Sequence, residues 1–376
     1  MKEFIQYLKK KNTIELLELI SFSQLFPENH GKNLRLEIIQ SLIINNLNEV
    51  ENETNYDGTL NAIREFFPSD SREDPPETSF TENFLFMNGN NIVFPGIVID
   101  STTIVQKMSS IILLEKNKVP KNVKEIIGNA MFFMLDIYNL IATENGLERY
   151  MKPVQEEMDL YFPEEASFKE GKDTISFSTE EIQATYDKLK INYDVIDEFL
   201  FDWEHNTIDI EDYDKNPLLF KPFIKHEDRY YLATPNSQMY ALDNFIVNTL
   251  KSNNCLEEIV DLFDSDIIRD TKIQLVKMGW LRTDLHKKID SKTKILKGES
   301  FWQFDENKIA YINVLSNRAD DLELEDRTNV VLSSVKSTIN ESHYEYFAIF
   351  IMSTYTTIEP QYLGLRDIKE ANNVIV

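Results

Sequence analysis

Cysteine and histidine, two residue types that often carry catalysis or bind metals, are sparse in this sequence of 376 residues, with one cysteine and five histidines. The single cysteine, Cys255, excludes a disulfide within the sequence and a zinc site built from cysteines. The histidines show no His-Glu-x-x-His and no His-x-His spacing, and we interpret each as a surface or turn residue: His30, His205, His226, His286 and His343. We therefore assign no catalytic residue, no metal ligand and no cofactor from local motifs.

Motifs for nucleotide binding or serine activation are missing as well. The sequence contains no Walker-type phosphate loop, no Gly-x-Gly-x-x-Gly fingerprint and no Gly-x-Ser-x-Gly. Glycine is scarce, with 10 residues, which disfavours nucleotide folds built on glycine-rich turns. The sequence gives no support for a P-loop enzyme, a dinucleotide-binding enzyme or a common esterase.

One segment approaches a calcium-binding loop. Asp212, Asp214 and Asn216 match the first three ligand positions of an EF-hand. Pro217 stands where that loop needs a glycine for its sharp turn, and Phe223 takes the place of the bidentate glutamate. We conclude that this segment is not an EF-hand and predict no dedicated metal site there.

The net charge indicates whether the chain binds nucleic acid or protein partners. Sixty-four acidic residues against 39 basic ones give a net charge of −25, whereas a free nucleic-acid-binding protein normally has a basic stripe for the phosphates. We identify one Lys/Arg cluster, Lys9-Lys10-Lys11, and interpret it as the solvated end of a first helix. Residues 151–215 hold 19 acidic and 6 basic residues, a net charge of −13 that keeps a protein soluble and can also dock a basic partner. We expect protein partners, and no direct nucleic-acid binding without one.

Hydropathy predicts no membrane segment. The stretch from Met1 to Gln6 lacks the apolar core of a signal peptide. The longest apolar stretch, Ala130 to Ile141, is interrupted by Asp136 and Asn139 and is far shorter than the roughly 20 residues that span a bilayer. We expect a cytoplasmic protein, and the richness in Ile, Asn, Lys and Glu favours a bacterial source.

The elements that position these residues begin with a helical region, residues 1–67. Thr13 is a candidate cap for one helix, and a second helix from Asn33 places Leu34, Ile38 and Leu42 on one face. A third helix runs from 59 to 67 and stops at Pro68. Residues 68–81 have loop composition and mark the first candidate domain boundary.

Residues 83–215 are predicted to form an α+β domain that contains the acidic segment 151–215. Two apolar strands flank Asn88-Gly89, which supplies the positive φ angles of a tight hairpin turn. The other elements predicted in this domain are a helix over 121–143, a strand over 174–177, a helix with capping-box spacing at Ser178 and Glu181, and a helix over 194–203.

Residues 216–376 are predicted to form a third, α/β domain. It opens with a hairpin over 219–232 and helices over 238–251 and 256–264. From 265 onward the pattern predicts a helix ending near Gly279, a hairpin over 300–315 with its turn at Asp305–Lys308, a helix over 329–339 and a strand over 346–352. The fold class is therefore α+β, with a helical N-terminal region, a mixed helix-and-hairpin middle and a C-terminal α/β domain.

The helix–strand–strand–helix–strand order of residues 265–353 resembles the core of the PD-(D/E)xK restriction-endonuclease-like superfamily. In that superfamily an acid on the first hairpin strand and a Glu-x-Lys on the second hold a divalent metal that activates water. Here the nearest first-strand carboxylate is Glu299, just before Ser300 and Phe301, and Asn313-Val314-Leu315 fills the Glu-x-Lys place. Asp305 and Lys308 fall in the turn, where we expect them to face water. The resemblance thus implies a degenerate, inactive domain.

Three functional hypotheses follow. The first is a non-enzymatic interaction or sensing subunit with a degenerate nuclease-like domain, of the kind that the resemblance links to bacterial antiviral defence. The second is an active divalent-metal-dependent nuclease, which the net charge of −25 opposes because DNA would be repelled. The third is an acidic inhibitor that occupies a nucleic-acid-binding site on another protein, although the acids of 151–215 are irregularly spaced.

Overall fold

In the computed structural model, the described part of the chain consists of residues 2–26, 29, 32–48, 56–68, 82–87, 90–95, 108–114, 117–145, 160–163, 175–210, 216–283, 297–316, 330–331, 333–334, 345–353 and 374–375. The chain divides into two compact units. Unit 1 comprises residues 1–109 and 119–253, and unit 2 comprises residues 110–118 and 254–376.

Unit 1 begins with four helices, α1 (Lys2–Leu8), α2 (Thr13–Ser23), α3 (Asn33–Ile44) and α4 (Tyr56–Phe66), as the apolar periodicity predicts. Thr13 does not cap α2. Asn12 does so instead, because its side chain accepts hydrogen bonds from the backbone N–H groups of Ile14 and Glu15. The Thr13 hydroxyl donates to the carbonyl of Asn48, 3.0 Å away, and so ties the start of α2 to the chain after α3.

The predicted hairpin forms an isolated antiparallel pair, β1 (Glu82–Met87) and β2 (Asn90–Pro95). Its turn, Asn88-Gly89, lies outside the described residues. The long helix α5 (Lys121–Asn145) follows and confirms the helix predicted over 121–143. Among the described helices, none combines the length and apolarity required to cross a bilayer.

The rest of unit 1 is a four-stranded sheet with two more helices. Its strands are β3 (Ser176–Ser178), β4 (Leu200–Phe201), β5 (Phe223–His226) and β6 (Arg229–Leu232), in the order β3-β6-β5-β4. Helix α6 (Thr179–Leu189) starts with the predicted capping box, and α7 (Gln238–Ser252) confirms the helix predicted over 238–251. The predicted helix over 194–203 is wrong. A 3₁₀ turn (Val195–Phe199) leads directly into β4, because Leu200 and Phe201 pair with Phe223 and Ile224.

One hydrophobic core joins the N-terminal helices to the sheet. Leu16 and Leu17 of α2 belong to the same buried cluster as Leu218, Ile224 and Tyr231. The Ser21 hydroxyl also donates to the carbonyl of Ala233, 3.0 Å away. Unit 1 therefore differs from the predicted division into segments 1–67, 83–215 and 216–376, since residues from all three belong to it.

Unit 2 is built on a long helix and a five-stranded sheet. The predicted helices over 256–264 and 265–278 form one continuous helix, α8 (Leu256–Lys277). The strands are β7 (Leu281–Arg282), β8 (Glu299–Asp305), β9 (Lys308–Ser316), β10 (Glu345–Ser353) and β11 (Val374–Ile375), in the order β11-β10-β9-β8-β7. Strands β7, β8 and β9 are antiparallel neighbours, whereas β10 runs parallel to both β9 and β11. Residues 330, 331, 333 and 334 of the predicted helix 329–339 are helical, and its other residues lie outside the described part.

A glycine turn connects α8 to the sheet. Gly279 has a φ of 81°, in the left-handed region that favours glycine. Its N–H donates to the Val276 carbonyl and the N–H of Trp280 donates to the Leu275 carbonyl, both at 3.0 Å. This is the Schellman arrangement, and it reverses the chain so that β7 can pair with β8. One face of the hairpin, with Trp302, Ala310 and Ile312, then packs against Leu275 of α8.

Candidate functional site

The first candidate site is the place on β8 and β9 where the resemblance puts a metal. Glu299 opens β8, and its direct cross-strand partner on β9 is Asn313. Directly opposed residues on antiparallel strands have Cβ atoms about 5 Å apart and share one face of the sheet. The structure therefore brings together the carboxylate and the amide that the sequence singled out, and both are buried, with 4% of each residue exposed.

Tyr311 occupies the remaining space beside Glu299. Its hydroxyl donates to Oε1 of Glu299 over 2.8 Å. The Tyr311 ring also lies against Phe301, with 5.3 Å between ring centroids. On the opposite face of the hairpin, the Trp302 indole N–H donates to the Ser300 hydroxyl over 2.9 Å.

The described groups around Glu299 can be compared with the requirements of a metal site. A magnesium-type ion requires several oxygen ligands and room for coordinated water and a phosphate oxygen. Among the described contacts, Glu299, Asn313 and Tyr311 bring together one carboxylate, one neutral amide and an aromatic hydroxyl that donates to that carboxylate. Val314 and Leu315 follow Asn313 at the place of the Glu-x-Lys motif, and their side chains are not among those that the structure describes.

Asp305 and Lys308 lie at the far end of the same strands. Their side chains are 57% and 41% exposed, and the Lys308 Nζ atom lies 3.7 Å from Oδ2 of Asp305. The expectation that both face water is confirmed. Six residues of strand separate Asp305 from Glu299, roughly 20 Å at about 3.3 Å per residue, so the two carboxylates cannot share an ion.

Two of the five histidines lie in the described part of the chain, and neither belongs to a group of metal ligands there. His205 pairs with Asp202 at 3.0 Å on the surface of unit 1, and that hydrogen bond with the carboxylate raises the pKa of His205. His226 stacks on Trp203, with 5.8 Å between ring centroids. His30, His286 and His343 lie outside the described residues.

Asn216 serves a structural purpose in the segment that approaches a calcium loop. Its side chain is buried and accepts a hydrogen bond from the Leu218 N–H, which starts a short 3₁₀ turn. Asp212 and Asp214 lie outside the described part of the chain. Within that part, no three His, Cys, Asp or Glu side chains are grouped as metal ligands.

The second candidate site is a surface that the sequence analysis missed. We name the basic and the exposed large apolar side chains between 272 and 282 the α8 basic–apolar face; Lys272 is half-buried and the other members are exposed. They come from the last turns of α8, the glycine turn and β7: Lys272, Ile273, Val276, Lys277, Met278, Leu281 and Arg282. The exposed fractions of the four apolar residues are 45% for Ile273, 62% for Val276, 65% for Met278 and 67% for Leu281.

The positive charges of this face lie close together. Burial lowers the pKa of Lys272, and the positive charge of Arg282 on β7 lowers it further. A groove of about 600 Å³ runs along α8 beside Lys272, Ile273, Val276 and Lys277. Lys297, two residues before β8, also lines it. The Lys297 ammonium donates to the hydroxyl of Ser265 on α8.

A signal for this surface exists in the sequence. Residues 268–297 contain nine basic and three acidic residues, a net charge of +6 inside a chain of −25. Apart from Lys287-Lys288, these basic residues are separated along the sequence, so a search for runs of three Lys/Arg residues finds Lys9-Lys10-Lys11 and overlooks them. The statement that Lys9-Lys10-Lys11 is the one basic cluster is therefore wrong.

Comparison with known proteins adds no family. The chain matches no protein-family model, no curated protein and no solved structure.

Proposed function

We propose that this chain is a non-enzymatic interaction or sensing subunit of a bacterial assembly, of the kind used in antiviral defence. Its unit 2 would be a degenerate restriction-endonuclease-like domain that has kept the scaffold and lost the chemistry. The order of elements supports this proposal, because α8 is followed by the antiparallel strands β7, β8 and β9, by helical residues at 330, 331, 333 and 334, and by β10 parallel to β9.

One observation carries the proposal: the buried Glu299 faces a neutral Asn313 and is hydrogen-bonded by Tyr311. In an active site of this type, two carboxylates and a lysine would meet at that position and reach solvent. Here a 4% exposed carboxylate has a phenol as its partner. Such a group holds two strands together.

Calorimetric titration of the purified protein with Mn²⁺, together with a plasmid-cleavage assay on the same sample, tests the proposal. We expect no stoichiometric binding that depends on Glu299 and no cleavage. Stoichiometric binding that disappears in Glu299→Gln, accompanied by cleavage, would establish an active nuclease instead.

A gain-of-binding variant sharpens this test. Asn313→Asp places a second carboxylate opposite Glu299, and Asn313→Leu is a matched control of similar size without a charge. Mn²⁺ binding gained by the first variant and lost again on adding Glu299→Gln would support descent from a metal-binding site. The variants are compared only after circular dichroism shows that they retain the wild-type helix content.

A further inference from the structure

The α8 basic–apolar face contains most of the exposed large apolar side chains of the described residues. Six large hydrophobic side chains are exposed among the described residues, and four of them, Ile273, Val276, Met278 and Leu281, belong to this face. Scattered single apolar residues are normal on a protein surface, whereas a contiguous group marks an interaction site. The face therefore differs in kind from the rest of the described surface.

The basic side chains of the face are available for a ligand. In the described part of the chain, no acidic side chain pairs with Lys272, Lys277 or Arg282. Arg269, one turn earlier on α8, is by contrast neutralised by Asp266 at 2.7 Å and by Asp270 at 3.4 Å. The uncompensated charges and the exposed aliphatic side chains thus share one end of the helix.

The composition of the face decides which class of ligand fits. Single-stranded nucleic acid is held by aromatic side chains on which bases stack, but the exposed apolar residues here are all aliphatic or Met. The nearest aromatic residue, Trp280, is stacked on Phe304 with 4.8 Å between ring centroids. Aliphatic side chains between lysines instead match a ligand that has its own apolar groups between carboxylates.

The overall charge argues against extended anionic surfaces. A membrane or a long duplex extends beyond the face and would also meet the rest of a chain whose net charge is −25. A short peptide that docks on the face interacts mainly with charges within about 8 Å, the screening length at physiological ionic strength. The local positive charge therefore favours a small acidic ligand over a polymer or a bilayer.

We propose that the α8 basic–apolar face binds an acidic segment of a partner protein, with apolar side chains of that segment entering the groove beside Ile273 and Val276. Glutamate or aspartate residues of the segment would pair with Lys272, Lys277 and Arg282. This inference rests on the proposed function, because it names the surface and the partner chemistry through which an interaction subunit would act.

Binding of defined probes to the full chain tests the inference. The first probe is a fluorescein-labelled 20-residue peptide of Glu and Leu in which the Leu residues recur at helical spacing. The second probe has Ser in place of each Leu and carries the same charge. We expect the Glu/Leu peptide to bind at least tenfold more tightly than the Glu/Ser peptide, because only the first offers apolar anchors. Equal affinities, or no binding of either peptide, would overturn the proposal.

Variants locate the binding surface. Lys272→Glu/Lys277→Glu should weaken binding of the Glu/Leu peptide at least tenfold, and Ile273→Ser/Val276→Ser should weaken it by a similar factor. The matched control is Lys9→Glu/Lys251→Glu, which changes the net charge equally at two exposed lysines of unit 1 and should leave affinity within twofold. Loss of affinity in the control to the same extent would overturn the assignment to this face.

Three other occupants are outcomes of the same experiment. Tighter binding of a 20-nucleotide single-stranded DNA or of phosphatidylserine vesicles than of the Glu/Leu peptide would replace the acidic segment by those ligands. If light scattering shows that the protein self-associates, and Lys272→Glu/Lys277→Glu abolishes this self-association, the occupant is a second copy of the chain. The Mn²⁺ and cleavage assays test the Glu299 position, whereas the peptide assay tests the α8 basic–apolar face. The two proposals can therefore fail independently of each other.

Discussion

Glu18 of α2 shows how a half-buried acid is accommodated in unit 1. The Ser176 hydroxyl donates to Oε1 of Glu18 over 3.0 Å, and Arg229 donates to the same hydroxyl oxygen over 2.8 Å. Burial raises the pKa of Glu18, although the Ser176 hydrogen bond and the Arg229 charge act in the opposite direction. The folded state therefore binds the Glu18 proton more tightly than the unfolded state does.

Glu18→Gln should change the pH dependence of stability. With the folded pKa above the ordinary value of 4.5, the stability associated with Glu18 is fully present below 4.5 and is lost as pH rises through the folded value. Glutamine keeps an acceptor for Ser176 and cannot ionise. We expect the urea midpoint of the variant, relative to wild type, to increase between about pH 5 and pH 8.

Glu65→Gln is the control for this measurement, because Glu65 is an exposed acid on α4. Its urea midpoint should follow the wild-type pH profile. A Glu18→Gln midpoint that runs parallel to wild type over the whole pH range would contradict the argument from burial.

The Schellman turn after α8 is the element on which the second candidate site depends. Its two 3.0 Å hydrogen bonds and the left-handed φ of Gly279 bring β7 beside the end of the helix. A Cβ atom at Gly279 would meet no heavy atom within 4 Å. The glycine is therefore required by the backbone conformation and not by close packing.

Gly279→Ala should destabilise this connection. An L-residue in the left-handed conformation costs roughly 1 kcal/mol, and we expect a loss of about that size in the free energy of unfolding measured by urea denaturation. Since the turn also sets β7 against α8, affinity for the Glu/Leu peptide should fall as well.

Gly279→Asn provides the comparison, because asparagine tolerates the left-handed region better than alanine. It should retain more stability than Gly279→Ala. The opposite order would show that the cost lies in something other than the backbone.

At the scale of the whole molecule, charge is the dominant property. A net charge of −25 places acidic groups close to one another over much of the surface. Such an excess opposes the compact state through self-repulsion, and salt screens that repulsion. The positive stretch 268–297 offsets only a small part of it.

Raising NaCl from about 20 to about 300 mM should therefore increase the melting temperature, because the screening length falls from roughly 20 Å to below about 10 Å. Differential scanning fluorimetry at constant pH measures the change. Sucrose at equal osmolality is the control for non-ionic effects and should give a smaller rise. A melting temperature that falls with NaCl would show that net attraction between charges stabilises the fold.

The sequence alone determined the features that arise from neighbouring residues. Apolar periodicity predicted α2, α3, α5 and α7, and the Ser178/Glu181 spacing predicted the start of α6. Two apolar stretches joined by a short polar turn predicted the β8–β9 hairpin. The absence of phosphate-loop and esterase motifs and the charge of −25 are also sequence properties. These features are local because capping, helical spacing and turn geometry involve residues only a few positions apart.

The tertiary structure decided what depends on contacts between distant residues. Residues 194–203 carry a helical pattern, yet Leu200 and Phe201 are in a strand because Phe223 and Ile224 pair with them. Leu218 joins the core of Leu16 although about 200 residues separate them. The burial of Glu299 against Tyr311 likewise follows from the strand register. The chain reversal after α8 brings uncompensated bases and aliphatic side chains together where α8 meets β7. The spacing of neighbouring residues does not predict the Glu299–Tyr311 contact or the surface where α8 meets β7, because both depend on which segments the folded chain brings together.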